Sequence, residues 1–144
     1  MKRTIPRIFL DTNILLDVLL KREDFYQESA VLFNACETQE VQGEIASISV
    51  NNVYYMMRHH YGRKTAQQSI PLLLGIFQVI PGDARVFHLA THLETGDYED
   101  GIQLASAITG KASCLFTRNP RDFSKDYLPV LHPSEWKHFL HPVF

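Results

Sequence analysis

The 144-residue chain lacks the features that mark secreted, membrane-spanning or nucleotide-binding proteins. Its only two cysteines, Cys36 and Cys114, are too few for a disulfide framework and have no metal-ligand partner at a useful spacing. No apolar run approaches the roughly 20 residues that span a bilayer, and the first residues lack the apolar stretch of a signal peptide. No glycine-rich phosphate loop is present. We therefore expect a cytoplasmic protein with reduced thiols and no membrane contact.

The chain also lacks an excess of basic charge. Its formal net charge of -2 argues against a broad positively charged surface that binds nucleic acid, although a local basic patch is compatible with this charge. Hydrophobic residues make up 45% of the chain and charged residues 21%, as in a folded soluble protein. From the length we expect a single domain spanning residues 1–144.

Hydrophobic patterning predicts short strands that alternate with helices. We expect strands at Ile5–Leu10, Ile45–Ile48, Ile76–Ile80, Ser113–Thr117 and Pro129–Leu131. We expect helices at Thr12–Leu20, Phe25–Thr38, Ser49–Tyr61 with Ser49 as the cap, Arg63–Leu74, Asp83–Glu94 and Tyr98–Thr109, and a last helix begun by Ser134. This alternation predicts an α/β fold, a three-layer α/β/α sandwich with a mainly parallel central sheet.

Acidic residues recur where strands give way to helices. Each has a simple structural explanation, since Asp97 is a good helix cap and Asp100 would suit the positive end of a helix dipole. In a parallel sheet, however, the segments that follow the first and fourth strands emerge at the same edge. Four carboxylates are then expected to meet there: Asp11, Asp97, Asp100 and Asp122. Gathered carboxylates repel unless a cation neutralises them, and their oxygens suit Mg²⁺ or Mn²⁺.

Three segments resemble the signature motifs of PIN domains. Phe9–Asp17 is similar to the opening motif, Asp97–Ala105 to the third acidic motif, and Phe116–Phe123 to the fourth. The resemblance implies a PIN-like sandwich that cleaves RNA phosphodiesters with Mg²⁺ or Mn²⁺. Small members of this kind are VapC-type toxins of toxin–antitoxin pairs. It therefore also implies a small antitoxin partner and a homodimer.

The resemblance assigns roles by position. The predicted catalytic residues are Asp11, Asp97, Asp100 and Asp122, of which Asp11 and Asp100 are the principal metal ligands and Asp97 a further one. The predicted substrate-binding residues are Asn13, Asn52, Thr117, Arg118, Asn119 and Arg121. The two arginines flank the acids and would contact RNA phosphates, which positions a strand without reading its bases.

The chain departs from the family pattern at two positions. Asn52 stands where the family usually has a glutamate, and Asn119 stands where many members have an aspartate. Both changes lower the negative charge of the site, and Asp122 and Glu99 are candidates to compensate. Two functions therefore stay open. One is a metal-dependent endoribonuclease, and the alternative is a catalytically weakened PIN-like module that binds nucleic acid or a partner.

Overall fold

The computed structural model describes residues 5–140, which alternate between strands and helices. The strands are β1 (Arg7–Leu10), β2 (Gln42–Ala46), β3 (Gln78–Ile80), β4 (Cys114–Phe116) and β5 (Val130–Leu131). The helices are α1 (Thr12–Leu19), α2 (Tyr26–Glu37), α3 (Ser47–Tyr61), α4 (Arg63–Ile76), α5 (Ala84–His92), α6 (Tyr98–Thr109) and α7 (Trp136–Leu140). Short 3-10 turns cover Pro120–Asp122 and Pro133–Glu135.

The five strands form one sheet in the order β3-β2-β1-β4-β5, and each neighbouring pair is parallel. Strand β1 lies at the centre, where Phe9 is in register with Glu44 on one side and Leu115 on the other. The chain winds from β1 towards β3 and then crosses to β4. The carboxyl ends of β1 and β4 therefore flank the switch point at which such sheets place ligands.

Helices cover both faces of the sheet because successive strand residues point to opposite sides. Ile8 and Leu10 face a layer built from α1, α2, α3, α4 and α7. Phe9 faces the other layer, built from α5 and α6. The predicted three-layer α/β/α sandwich is confirmed, and the sheet is parallel throughout the described residues. None of the helices in this part of the chain is long and apolar enough to cross a membrane.

Two predicted boundaries are wrong around the second strand. The strand begins at Gln42, three residues before the predicted start, and ends at Ala46, so it overlaps the predicted segment only at residues 45 and 46. Gly43 lies within this strand, where a Cβ would lie 2.6 Å from Cys36 Sγ. Only glycine allows this close approach. Helix α3 then begins at Ser47, so Ser49 lies inside the helix instead of capping it.

Candidate active site

Asp11 joins the ends of β1 and β4. Its backbone is extended where β1 stops, and its Oδ1 accepts a hydrogen bond of 2.8 Å from the backbone N–H of Thr12, which caps α1. Its Oδ2 accepts a hydrogen bond of 2.9 Å from Thr117 Oγ1, just beyond β4. Asp11 is only 7% exposed. The carboxylate is therefore held in one orientation at the switch point.

Asp97 and Asp100 form a reciprocal cap at the start of α6. Asp97 Oδ1 accepts a hydrogen bond of 2.9 Å from the backbone N–H of Asp100. In return, Asp100 Oδ2 accepts one of 3.3 Å from the backbone N–H of Asp97. This capping box ties both carboxylates to the positive end of the helix dipole.

Gly96 brings Asp122 beside Asp100. The backbone N–H of Gly96 donates a hydrogen bond of 2.7 Å to the carbonyl oxygen of Asp122. A Cβ built on Gly96 would lie 3.0 Å from Asp100 Oδ2 and 3.0 Å from Asp122 Cγ. The two carboxyl groups therefore both border the space that a side chain at Gly96 would fill, and only glycine leaves this space open.

The pKa values show that the acids interact. Burial raises the pKa of Asp11, and repulsion from Glu99 adds to the effect, although hydrogen bonds from Thr117 and Thr12 oppose it. Burial also raises the pKa of Asp100 to about 7, with further contributions from the charges of Asp97, Asp11 and Asp122. Asp100 thus lies within electrostatic range of each of the other three predicted acids.

This donor set fits a strongly hydrated cation. Within residues 5–140, no three acidic, histidine or cysteine side chains are gathered closely enough to hold a metal ion. Mg²⁺ commonly takes only one or two protein carboxylates and keeps several of its waters for substrate phosphate to replace. Asp11 and Asp100 provide such hard oxygen donors, and their pKa values are raised first by burial and then by neighbouring negative charge, both of which a bound cation would offset. The site therefore suits Mg²⁺ or Mn²⁺.

The predicted amide and hydroxyl residues differ in their surroundings. Thr117 is fully buried and links Asp11 to the backbone N–H of Asn119, which donates to Thr117 Oγ1 at 3.2 Å. Asn119 itself is exposed. Asn13 Oδ1 instead accepts a hydrogen bond of 3.2 Å from Arg22. Thr117 is therefore the member of this group that contacts a predicted acid directly.

The two predicted arginines also differ. Arg118 Nε lies 2.9 Å from Asp17 Oδ2, and its guanidinium carbon lies 3.9 Å from the centre of the Phe25 ring. Its side chain is only 17% exposed, so in this structure Arg118 pairs with a buried acid instead of extending into solvent. Arg121 is exposed and lines a cleft of about 380 Å³ that also includes Asp122. Arg121 is thus the better placed of the two for an external anion.

A matched pair of variants separates these roles. We expect Arg118→Met to lower the free energy of unfolding by about 1.5 kcal/mol, because it removes a charged partner of buried Asp17. We expect Arg121→Met to change it by less than about 0.5 kcal/mol, as is usual for an exposed side chain. Urea denaturation measures both. Equal losses in the two variants would contradict the distinction.

The sequence analysis missed a buried polar network beneath the acids. Gln103 Nε2 donates to Thr12 Oγ1 at 3.0 Å and to Ser49 Oγ at 3.1 Å, and the two hydroxyl oxygens lie 2.6 Å apart. These contacts join α6, α1 and α3 directly behind Asp11. One signal for it was present, since Gln103 is the most polar side chain in the otherwise small and apolar segment 101–107.

Known proteins resemble the chain in both sequence and structure. The sequence profile described as "PIN domain" matches residues 7–121. A toxin–antitoxin complex from Klebsiella pneumoniae superposes with a TM-score of 0.66 at 22% identity, covering 88% of this chain and 97% of that one. VapBC2 from Rickettsia felis, bound to a DNA fragment from its promoter, gives 0.65 at 19% identity, covering 88% and 98%.

A third similar structure is VapC20 from Mycobacterium tuberculosis, described as a toxin that cleaves the sarcin–ricin loop. It superposes with a TM-score of 0.60 at 12% identity, covering 83% of this chain and 92% of that one. No curated protein sequence matches the chain significantly. At these low identities the structural likeness establishes a shared fold.

Proposed function

The chain belongs to the PIN domain family, and we propose that it is a metal-dependent endoribonuclease that hydrolyses RNA phosphodiester bonds. The observation that supports this proposal is that Asp100 lies within electrostatic range of Asp11, Asp97 and Asp122, near the carboxyl ends of β1 and β4. PIN nucleases generally use divalent metals. Carboxylates within electrostatic range of one another are costly to stability unless they serve such a cation.

Asp11 and Asp100 would hold Mg²⁺ or Mn²⁺, with Asp97 as a further acid behind them. When bound, such an ion lowers the pKa of water and stabilises negative charge on a phosphoryl oxygen. The chain's own residues orient the components. Thr117 fixes the carboxylate of Asp11 through its hydrogen bond, and Asp97 fixes the backbone of Asp100 through the capping box.

The remaining predicted residues would bind and orient the RNA. Asp122 lies beside Asp100 and would accept a proton from the attacking water, while the departing alkoxide would take a proton from solvent. Arg121 and Asn119 are exposed near it and would contact phosphate oxygens. Asn13 and Asn52 lie on α1 and α3, the helices that flank the acids. Arg118 would act through Asp17, by holding the segment that carries Thr117 and Asn119.

The partners follow from the proteins that share the fold. The similar structures are described as toxin–antitoxin complexes and as an RNA-loop-cleaving toxin. We therefore propose that this chain is the toxin of such a pair, that it acts on RNA in the cytoplasm, and that it forms a homodimer and binds a small antitoxin protein.

One observation favours a second function. Asn52 brings an amide to the place where the family usually has a carboxylate, which lowers the charge available to a metal. The alternative is a PIN-like module that binds RNA or a partner protein without turnover. Incubating the wild-type chain with a mixed RNA pool, with and without Mn²⁺, separates the two. Cleavage that requires Mn²⁺ supports the nuclease, whereas RNA binding without cleavage supports the module.

Metal affinity should depend on pH. Below about pH 7 Asp100 holds a proton, which a cation must displace, because its pKa is raised to about 7. We therefore expect Mn²⁺ affinity to fall by up to about tenfold for each unit of pH below 7, and to level off above it. Calorimetric titrations between about pH 5.5 and pH 8 measure this. Asp100→Asn should flatten the profile, and a flat wild-type profile would contradict the assignment.

A further inference from the structure

Helices α3 and α6 are joined by two successive polar contacts beside the acids. Ser49 accepts a hydrogen bond of 3.1 Å from Gln103. One turn further along α3, Asn52 Nδ2 donates a hydrogen bond of 3.0 Å to Glu99 Oε1, one turn back along α6. Side chains three and four residues apart share a helix face. The pair Asn52–Glu99 therefore continues the buried network to the exposed N-terminal turn of α6, next to Asp100.

We propose that Glu99, held by Asn52, supplies the carboxylate that the family usually carries on the third helix. In this chain the carboxylate is that of Glu99 on α6, and the amide of Asn52 stands on α3 where the family usually has a glutamate. Glu99 would accept hydrogen bonds from the waters of a cation held by Asp11 and Asp100. This inference rests on the proposed function.

The chemistry of the pair suits this role. An amide N–H orients a carboxylate without neutralising it, so Glu99 keeps its negative charge at the site. A glutamate in place of Asn52 would instead set two carboxylates against each other. Glu99 lies close enough to Asp11 for its negative charge to raise the pKa of Asp11. Glu99 also immediately precedes Asp100 at the positive end of α6.

The spacing of the acidic side chains favours a water-mediated contact between Glu99 and the cation over a direct bond. No three acidic, histidine or cysteine side chains among residues 5–140 are close enough to bind one ion together. Glu99 therefore fits a carboxylate that acts on the hydration shell, which Mg²⁺ gives up reluctantly. If the Asn52–Glu99 contact had only a structural role, its loss would lower stability little and would leave the metal affinity unchanged, because exposed polar contacts contribute little stability.

The test is calorimetric titration with Mn²⁺ in the absence of RNA. We expect Glu99→Gln to weaken Mn²⁺ binding about tenfold, as is usual when a group that supports a metal from outside its direct ligands is lost. The double variant Asn52→Asp with Glu99→Gln keeps one carboxylate and one amide but exchanges their helices. We expect it to recover affinity to within about threefold of the wild type. Glu37→Gln, an equal charge change at the exposed far end of α2, is the matched control and should bind normally.

The outcomes distinguish this inference from the proposed function. If Asp11→Asn abolishes Mn²⁺ binding while Glu99→Gln binds as the wild type does, the role of Glu99 is overturned and the metal site stands. If the double variant binds no better than Glu99→Gln, the exchange between helices is overturned. If the wild type binds no Mn²⁺, or Asp11→Asn binds it equally well, both the inference and the metal-dependent function fall.

Discussion

Replacing Asp11 with asparagine is expected to lower Mn²⁺-dependent RNA cleavage by at least about 100-fold while the fold stays intact. A bound metal contributes several kcal/mol to stabilising phosphoryl transfer, and each 1.36 kcal/mol changes a rate about tenfold. Asparagine keeps an oxygen that can accept the hydrogen bond from Thr12, so α1 remains capped. The loss should therefore arise from the missing charge. Cleavage of a mixed RNA pool, with circular dichroism to confirm folding, measures it.

The control for this variant is Asp126→Asn, which removes an equal charge from an exposed position in the loop before β5. It should cleave at the wild-type rate. Cleavage that persists in Asp11→Asn, or in the wild type with excess chelator, would contradict the proposal of a metal-dependent nuclease. In that case the activity would have to come from residues other than these acids.

Replacing Glu44 with glutamine is expected to stabilise the protein by about 3 kcal/mol at pH 8. Glu44 is fully buried on β2, and neither oxygen of its carboxylate has a hydrogen-bond partner among the described residues. It lies against Gly110, where α6 ends and its carbonyl groups carry negative partial charge. Burial raises the pKa of Glu44 to about 7, although the nearby charge of Arg7 lowers it somewhat. Each unit of such a shift corresponds to about 1.4 kcal/mol.

The effect of Glu44 should depend on pH in a definite direction. In the unfolded chain the group has its ordinary pKa of 4.5, below its folded value. Between these two values the unfolded chain releases the proton first, so the stability of the wild type falls as pH rises and then levels off above about 7. The gain from Glu44→Gln should therefore be small near pH 5 and full at pH 8. Urea denaturation at both values measures it, and an equal gain at the two would contradict this account.

Local sequence was sufficient to predict most of the fold. An apolar run followed at once by Asp11-Thr12-Asn13 predicts a strand that turns into a helix, and the structure has this junction. The prediction failed at β2 because Gly43 and Glu44 are typical of turns. In the folded chain the glycine is needed for close packing against Cys36 on α2 and against Phe77, which lies far away in the sequence.

The sequence was sufficient to predict which acidic residues form the candidate site, but it was less informative about which side chains contact one another there. Asp11, Asp97, Asp100 and Asp122 each stand at an element boundary, and the parallel topology brings such boundaries to one edge. The partner of Arg118 was not predictable, because Asp17 lies on the inner face of α1 and reaches Arg118 only after β1 and β4 pair.

The sequence alone determined that this is a three-layer α/β protein of the PIN family, since hydrophobic period and motif order are properties of neighbouring residues. Only the tertiary structure decided which side chains face each other across elements. It turned Arg118 towards Asp17, buried Glu44 without a hydrogen-bond partner among residues 5–140, and paired Asn52 with Glu99. Such pairings depend on the packing of α1, α3 and α6 on the sheet. A local sequence pattern does not specify them, because the paired residues belong to different elements.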